Sequence, residues 1–123
     1  MNEITGKIIE LLIKVHKALG PGMLEGAYEI CLTHELVKHG FTVERQKKLP
    51  IVYDGVRLDA GYRLDLLVND SVIVEVKAVE RIHPVHEAQL LSYLRMTGVK
   101  LGLVIKFNMK MLRDGVRRVV NKL

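Results

Sequence analysis

Asp65 and the triplet Glu75-Val76-Lys77 are the residues whose types and spacing best fit a chemical role. The first lies in Gly61-Tyr62-Arg63-Leu64-Asp65-Leu66-Leu67-Val68 and the second in Val72-Ile73-Val74-Glu75-Val76-Lys77. Both stretches read as β-strands, separated by the turn Asn69-Asp70-Ser71. In such a hairpin Val68 pairs with Val72, and Asp65 falls opposite Glu75. Strand side chains alternate faces. Leu64, Leu66, Val68, Val72, Val74 and Val76 therefore share one face, and Asp65, Glu75 and Lys77 share the other. Opposed residues hold their Cβ atoms about 4.5–5.5 Å apart, and like charges so placed destabilise a sheet. A hard cation such as Mg²⁺ or Mn²⁺ relieves that repulsion, since Mg²⁺ takes oxygen ligands and often uses only one or two carboxylates. It can polarise a phosphoryl group or acidify a water. Lys77 can hold or deprotonate that water, or neutralise charge developing on phosphorus. A surface salt bridge among the three residues is the plain alternative.

Two further groupings bear on the choice. Glu25, in Gly22-Met23-Leu24-Glu25-Gly26-Ala27-Tyr28, lies three residues before Tyr28 and seven before Leu32, on one helical face. It is expected to point towards protein as a third metal ligand or to orient a metal-bound water; a helix-start acid favoured by the dipole is the alternative. Gln89 and Tyr93 lie one helical turn apart. An amide and a phenol so placed can hydrogen-bond a phosphate or buttress metal ligands. His83 and His86 flank a helix start at Pro84, and without a cysteine cluster they do not suggest zinc. His16 reads as a packed or capping residue with a peripheral claim on the site, and Cys31 reads as core.

The elements that must position these groups follow from periodicity. Residues 2–19 form a helix with Ile8, Leu11, Leu12, Val15 and Leu19 as its apolar stripe, stopped by Gly20-Pro21-Gly22. A second helix runs from about residue 23 to 39, and Gly40 ends it. Strands are expected over 41–48, over 49–56 with Asp54-Gly55 as a turn, and over the two halves of the 61–77 hairpin. A third helix over 85–97 precedes the buried strand 101–105, and 111–122 reads as a final amphipathic helix or a turn plus helix. The expected order is α-α-β-β-β-β-α-β-α, a small α/β sandwich with a mixed sheet. The strand–helix–strand step should join parallel strands.

At 123 residues the chain makes one domain, taken as 1–123. Its net charge of +5 is uneven: residues 100–123 carry +6 and the first 99 carry −1. A basic tail containing Arg113, Arg117 and Arg118 suits a polyanion such as nucleic acid, or serves only solubility. No apolar run approaches a membrane span, the N-terminal residues lack a signal peptide's pattern, and one cysteine cannot close an internal disulfide. A cytoplasmic protein is the simplest expectation.

Together the Gly22–Tyr28 motif, Asp65 with Glu75-Val76-Lys77, and Gln89 with Tyr93 resemble the PD-(D/E)xK nuclease superfamily. More narrowly they resemble its GxxExxY proteins, with the Gln-x-x-x-Tyr motif of the RecB-like and phage-exonuclease-like branches. The resemblance implies a restriction-endonuclease-like core and Mg²⁺-dependent phosphodiester hydrolysis. It implies that Asp65, Glu75 and the Val76 carbonyl bind metal, that Glu25 is the helical glutamate and that Lys77 is the catalytic lysine. Gln89, Tyr93 and Tyr28 would position substrate or ligands, and Arg113, Arg117 and Arg118 would contact phosphates. Leu64 stands where many members carry proline. Nucleic acid, DNA in the first place, is the expected partner, with a homodimer or protein partner also open. A module that keeps the fold and binds without turnover is the alternative function.

Overall fold

A computed structural model describes residues 3–78 and 83–122. The chain opens with two helices, α1 (Glu3–Leu19) and α2 (Glu25–Lys38). Ile8, Leu11, Leu12 and Val15 form the buried stripe of α1; Tyr28, Leu32 and Leu36 form that of α2. The strands are β1 (Val43–Lys48), β2 (Ile51–Tyr53), β3 (Val56–Leu58), β4 (Arg63–Val68) and β5 (Val72–Lys77). Helix α3 (Pro84–Thr97) leads to β6 (Leu101–Lys106), and a short 3-10 turn (Leu112–Gly115) leads to β7 (Val116–Val120). Pro84 sits in the first turn of α3, where its missing N–H costs nothing, and Gly98 closes that helix at φ 78°.

Five strands form a sheet in the order β1-β4-β5-β6-β7. It is mixed: β5 and β6 run parallel, and the other pairs are antiparallel. The three helices and this mixed sheet make a restriction-endonuclease-like fold. The β2–β3 hairpin forms a separate two-stranded ribbon. Its two-residue turn places Asp54 at φ 53° and Gly55 at φ 73°, a conformation that Asp-Gly accepts readily. No helix among the described residues is long and apolar enough to cross a membrane.

The core lies on both faces of the sheet. On one, α1 and α2 cover Leu66, Val68, Val72, Val74, Val76, Leu103 and Ile105. On the other, Leu90, Tyr93 and Leu94 of α3 cover Leu64, Leu67, Ile73 and Val104. The face carrying the charged residues is therefore apolar under α3, and the charges occupy only its end. Leu64 also departs from the expected alternation, since it packs with α3 while Leu66 packs with α1 and α2. The change of side coincides with a break in the neighbouring strand: Gln46 adopts φ 54°, between the pairs Arg45–Leu66 and Lys47–Leu64.

The expected helix over 111–122 is a turn followed by a strand, and the segment from residue 49 makes two strands rather than one, so the order is α-α-β-β-β-β-β-α-β-β. The apolar spacing of Leu112, Val116, Val119 and Val120 satisfies a helix. However, β6 is buried along its length and would otherwise present a row of unpaired backbone groups at the sheet edge. Val116–Val120 pairs with it and satisfies that edge. The reversal is tight at Gly115, where an added Cβ would lie 2.3 Å from the Lys106 carbonyl oxygen. Gly115→Ala is therefore expected to destabilise the protein by about 1–3 kcal/mol, the usual range for overpacking. Urea unfolding of the variant checks this, and an unchanged midpoint would show that β7 tolerates a shift.

Candidate active site

The β4–β5 ladder pairs Val68 with Val72, Leu67 with Ile73 and Leu66 with Val74. One step further, side chains take over from backbone. The Asp65 N–H donates to Glu75 Oε2 at 2.8 Å, and the Val76 N–H donates to Asp65 Oδ2 at 2.8 Å. Each strand thus fixes the carboxylate of the other, a reciprocal clasp at the point where the two strands part. The paired ladder ends at Leu66–Val74, and these two bonds bring Asp65 and Glu75 together just beyond it.

Burial and mutual repulsion dominate the electrostatics. Burial, and then the charge of Asp65, push the Glu75 carboxyl up to about 8. Burial likewise raises Asp65, against the opposing effects of the Val76 N–H and the Lys77 ammonium. Lys77 is half-buried and its charge bears on both acids. Two carboxylates held close, both reluctant to ionise, are what a divalent cation would relieve. Their free oxygens fit that role: Asp65 Oδ1 has only a 3.3 Å contact from Gln46 Nε2, and Glu75 Oε1 has no hydrogen-bond partner among the described residues. Among the described residues no three His, Cys, Asp or Glu side chains converge on one point. A cation here would take two carboxylates and complete its shell with backbone carbonyl and water, which is the habit of Mg²⁺.

Helix α2 brings two acids to this end of the sheet. Glu25 is largely exposed, rather than turned into protein as expected, but its Oε2 accepts the Ala78 N–H at 2.9 Å just beyond β5. Glu29, one turn later, is buried. It accepts from Gln46 Nε2 at 2.7 Å and Arg45 Nε at 3.2 Å. Burial raises the Glu29 carboxyl despite these donors, and the charge of Asp65 adds to the rise. Sequence reasoning misses Glu29 and Gln46. The first is legible in its spacing of four from Glu25. The second has no sequence signal, because its contact depends on the break in β1.

Helix α3 supplies Gln89 and Tyr93 from the other side. Burial, then the charge of Glu75, push the Tyr93 phenol up to about 12, so it stays a hydrogen-bond donor. Gln89 is half-buried and lines the same groove as Tyr93. His86 lies on the same helical face, seven residues before Tyr93. Burial lowers its pKa and the Lys77 charge lowers it further.

Other expected site residues stand elsewhere. Tyr28 is fully buried and stacks on Phe107 with centroids 4.1 Å apart. Its hydroxyl donates to the Gly20 carbonyl at 2.7 Å and accepts the Met23 N–H at 3.0 Å. It ties down the loop that delivers Glu25 and cannot touch substrate. His16 is buried with Nε2 2.7 Å from the Met109 carbonyl oxygen, a packing role. The three arginines do not form one basic helix face. Arg113 is in the 3-10 turn, while Arg117 pairs across from Val104 and Arg118 from Leu103, on opposite faces of the edge strand. Glu75, Val104 and Arg117 form one row across β5, β6 and β7, so Arg117 alone of the two strand arginines shares the site's face. It lies 3.9 Å from Glu87.

A sequence model described as the PD-(D/E)XK nuclease superfamily matches residues 2–119. No curated protein and no solved structure gives a significant match.

Proposed function

The chain belongs to the PD-(D/E)XK nuclease superfamily, and from that premise we propose that it hydrolyses phosphodiester bonds of nucleic acid, DNA in the first place, with Mg²⁺ or Mn²⁺ as cofactor. Its Gly22–Tyr28 motif supports a place among the small GxxExxY proteins. The observation that carries the reading is the reciprocal clasp of Asp65 and Glu75 with Lys77 beside it.

Asp65, Glu75 and the Val76 carbonyl would hold the cation, and Glu25 would reach it through water. Once bound, the cation would supply Lewis-acid polarisation of the phosphoryl oxygen and a more acidic water. The chain's own residues do the rest. Lys77 holds the attacking water and offsets negative charge as its oxygen bonds to phosphorus and the P–O bond to the leaving strand breaks. The backbone clasp fixes both carboxylates before substrate arrives, so little reorganisation is needed during reaction. The Tyr93 phenol and the Gln89 amide donate to non-bridging phosphate oxygens. Arg117, in the same row as Glu75, offers a cation further along the strand.

The test is cleavage of single-stranded, double-stranded and branched substrates with Mg²⁺, with Mn²⁺ and with EDTA. Cleavage that needs the metal is expected on at least one substrate. Steeply salt-dependent binding without cleavage, and without calorimetric Mn²⁺ binding, would instead favour the binding module without turnover.

A further inference from the structure

Beside the carboxylates runs a groove of about 640 Å³, lined by Pro50, Val52, Tyr62, Gln89, Tyr93 and Met96 among others. Its walls are mainly apolar, and its volume falls in the range of small-ligand sites. One wall is α3; the other comes from the chain around the β2–β3 hairpin and the residues just before β4. The rings of Tyr62 and Tyr93 meet edge to face across it, centroids 6.0 Å apart. Tyr93 is nearly buried, whereas Tyr62 is 39% exposed. Tyr62 stands three residues before Asp65, and the charges of Glu75 and Asp65 reach the Tyr93 phenol. Tyr62 and Tyr93 thus bring the groove near the carboxylate end of the sheet, although neither Asp65 nor Glu75 lines it.

A second groove of about 400 Å³ shares Pro50, Val52 and Met96 with the first. Its character is different, because Lys47, Lys48 and Arg57 line it alongside Asp70. Lys47 pairs with Glu44 at 2.9 Å. Lys48 and Arg57 have no carboxylate partner among the described residues. Lys48 also stands directly across the β1–β4 ladder from Arg63, a like-charge pair that destabilises a sheet until an anion bridges it. An apolar, aromatic trough thus continues into one with a surplus of positive charge.

We propose, resting on the nuclease reading above, that the substrate segment next to the cleaved bond is single-stranded, with an unpaired base stacked on the exposed ring of Tyr62, which Tyr93 braces edge to face, and the following phosphates held by Lys48, Arg57 and Arg63. The two chemistries match the two parts of a nucleotide: a π-face for the trough and a phosphate for the cations. A paired base has both faces stacked within the duplex and its edges engaged. Only an unpaired or flipped one can present its face to Tyr62. A peptide would satisfy the trough but not the cations beyond it, unless acidic.

Binding of labelled oligothymidylate and of an abasic strand with the same number of phosphates tests this, by fluorescence anisotropy in EDTA. The wild-type protein should bind the abasic strand roughly 5- to 150-fold more weakly, the usual worth of one stacked base. Tyr62→Ala should erase that difference and leave abasic binding unchanged. Arg57→Ala should weaken both strands and lower the salt slope by about 0.7, one phosphate contact's share on a single strand. Equal affinity for the two strands, a difference that survives in Tyr62→Ala, or no binding at all would each overturn the proposal. Since EDTA removes the metal, such a failure leaves the hydrolysis reading standing. Base-dependent binding without metal-dependent cleavage would do the reverse.

Discussion

Asp65→Asn and Lys77→Ala should each lower metal-dependent cleavage by about 10²–10³-fold, the scale on which removal of a single preorganised electrostatic group is felt. The two losses should have different origins. Asparagine keeps an oxygen to accept the Val76 N–H, which Asp65 now accepts at 2.8 Å, so the sheet survives the change. What it loses is the negative charge that holds a cation against Glu75. Calorimetric titration should therefore show much weaker Mn²⁺ binding by Asp65→Asn. Lys77→Ala removes a cation from beside the pair, whose ammonium favours the ionised form of both acids. It should bind Mn²⁺ nearly as well as the wild type, yet turn over far more slowly. Wild-type cleavage rates in both variants would remove the site from this end of the sheet.

The second large effect concerns stability. In the folded protein Glu75 is raised from the ordinary 4.5 to about 8, chiefly by burial and then by Asp65. Between those two values the native state holds a proton that the unfolded state has released. Native protein then binds more protons than unfolded protein, and stability falls as pH rises. The metal-free protein is accordingly expected to be most stable near pH 5 and to lose stability through pH 8. The loss is on the order of a few kcal/mol, since each tenfold change in proton affinity is worth about 1.4 kcal/mol. Asp65, raised by the same burial, acts in the same direction. Glu75→Gln keeps an acceptor for the Asp65 N–H and removes the charge. It should melt higher than wild type at pH 8 in EDTA and show a flatter pH profile. Adding Mg²⁺ should reverse the ranking, because a ligand that binds only the native state stabilises it by mass action. A flat wild-type profile, or equal Mg²⁺ stabilisation of both proteins, would sink this account.

How much of this is legible in the residues depends on the range of the forces involved. The opposition of Asp65 and Glu75 is readable because a three-residue turn sets the hairpin register, and Val68 indeed pairs with Val72. The α1 stripe, the Asp-Gly turn and the Pro84 start of α3 are local signals of the same kind. Strand β7 is not readable, since its three valines together with Leu112 fit a helix and its true role is to close the edge of β6, an earlier strand. The side taken by Leu64 depends on a backbone break in β1, seen in Gln46 and not in Leu64 itself. Periodicity puts Tyr28 on the correct face of α2, but it cannot tell a hydroxyl used on the Gly20 carbonyl from one offered to substrate. Glu25 is exposed because its helix begins at the surface, where a backbone N–H rather than a core receives it.

The clasp has a spectroscopic consequence. Two amide protons, those of Asp65 and Val76, end on the carboxylates that would share a cation. Their nuclear magnetic resonance shifts therefore report the charge on those carboxylates from within the sheet, with no probe attached. One amide reads Glu75 and the other reads Asp65, so a metal titration would follow each ligand separately. Apart from the metal, the titration of the pair would appear on the backbone of both strands.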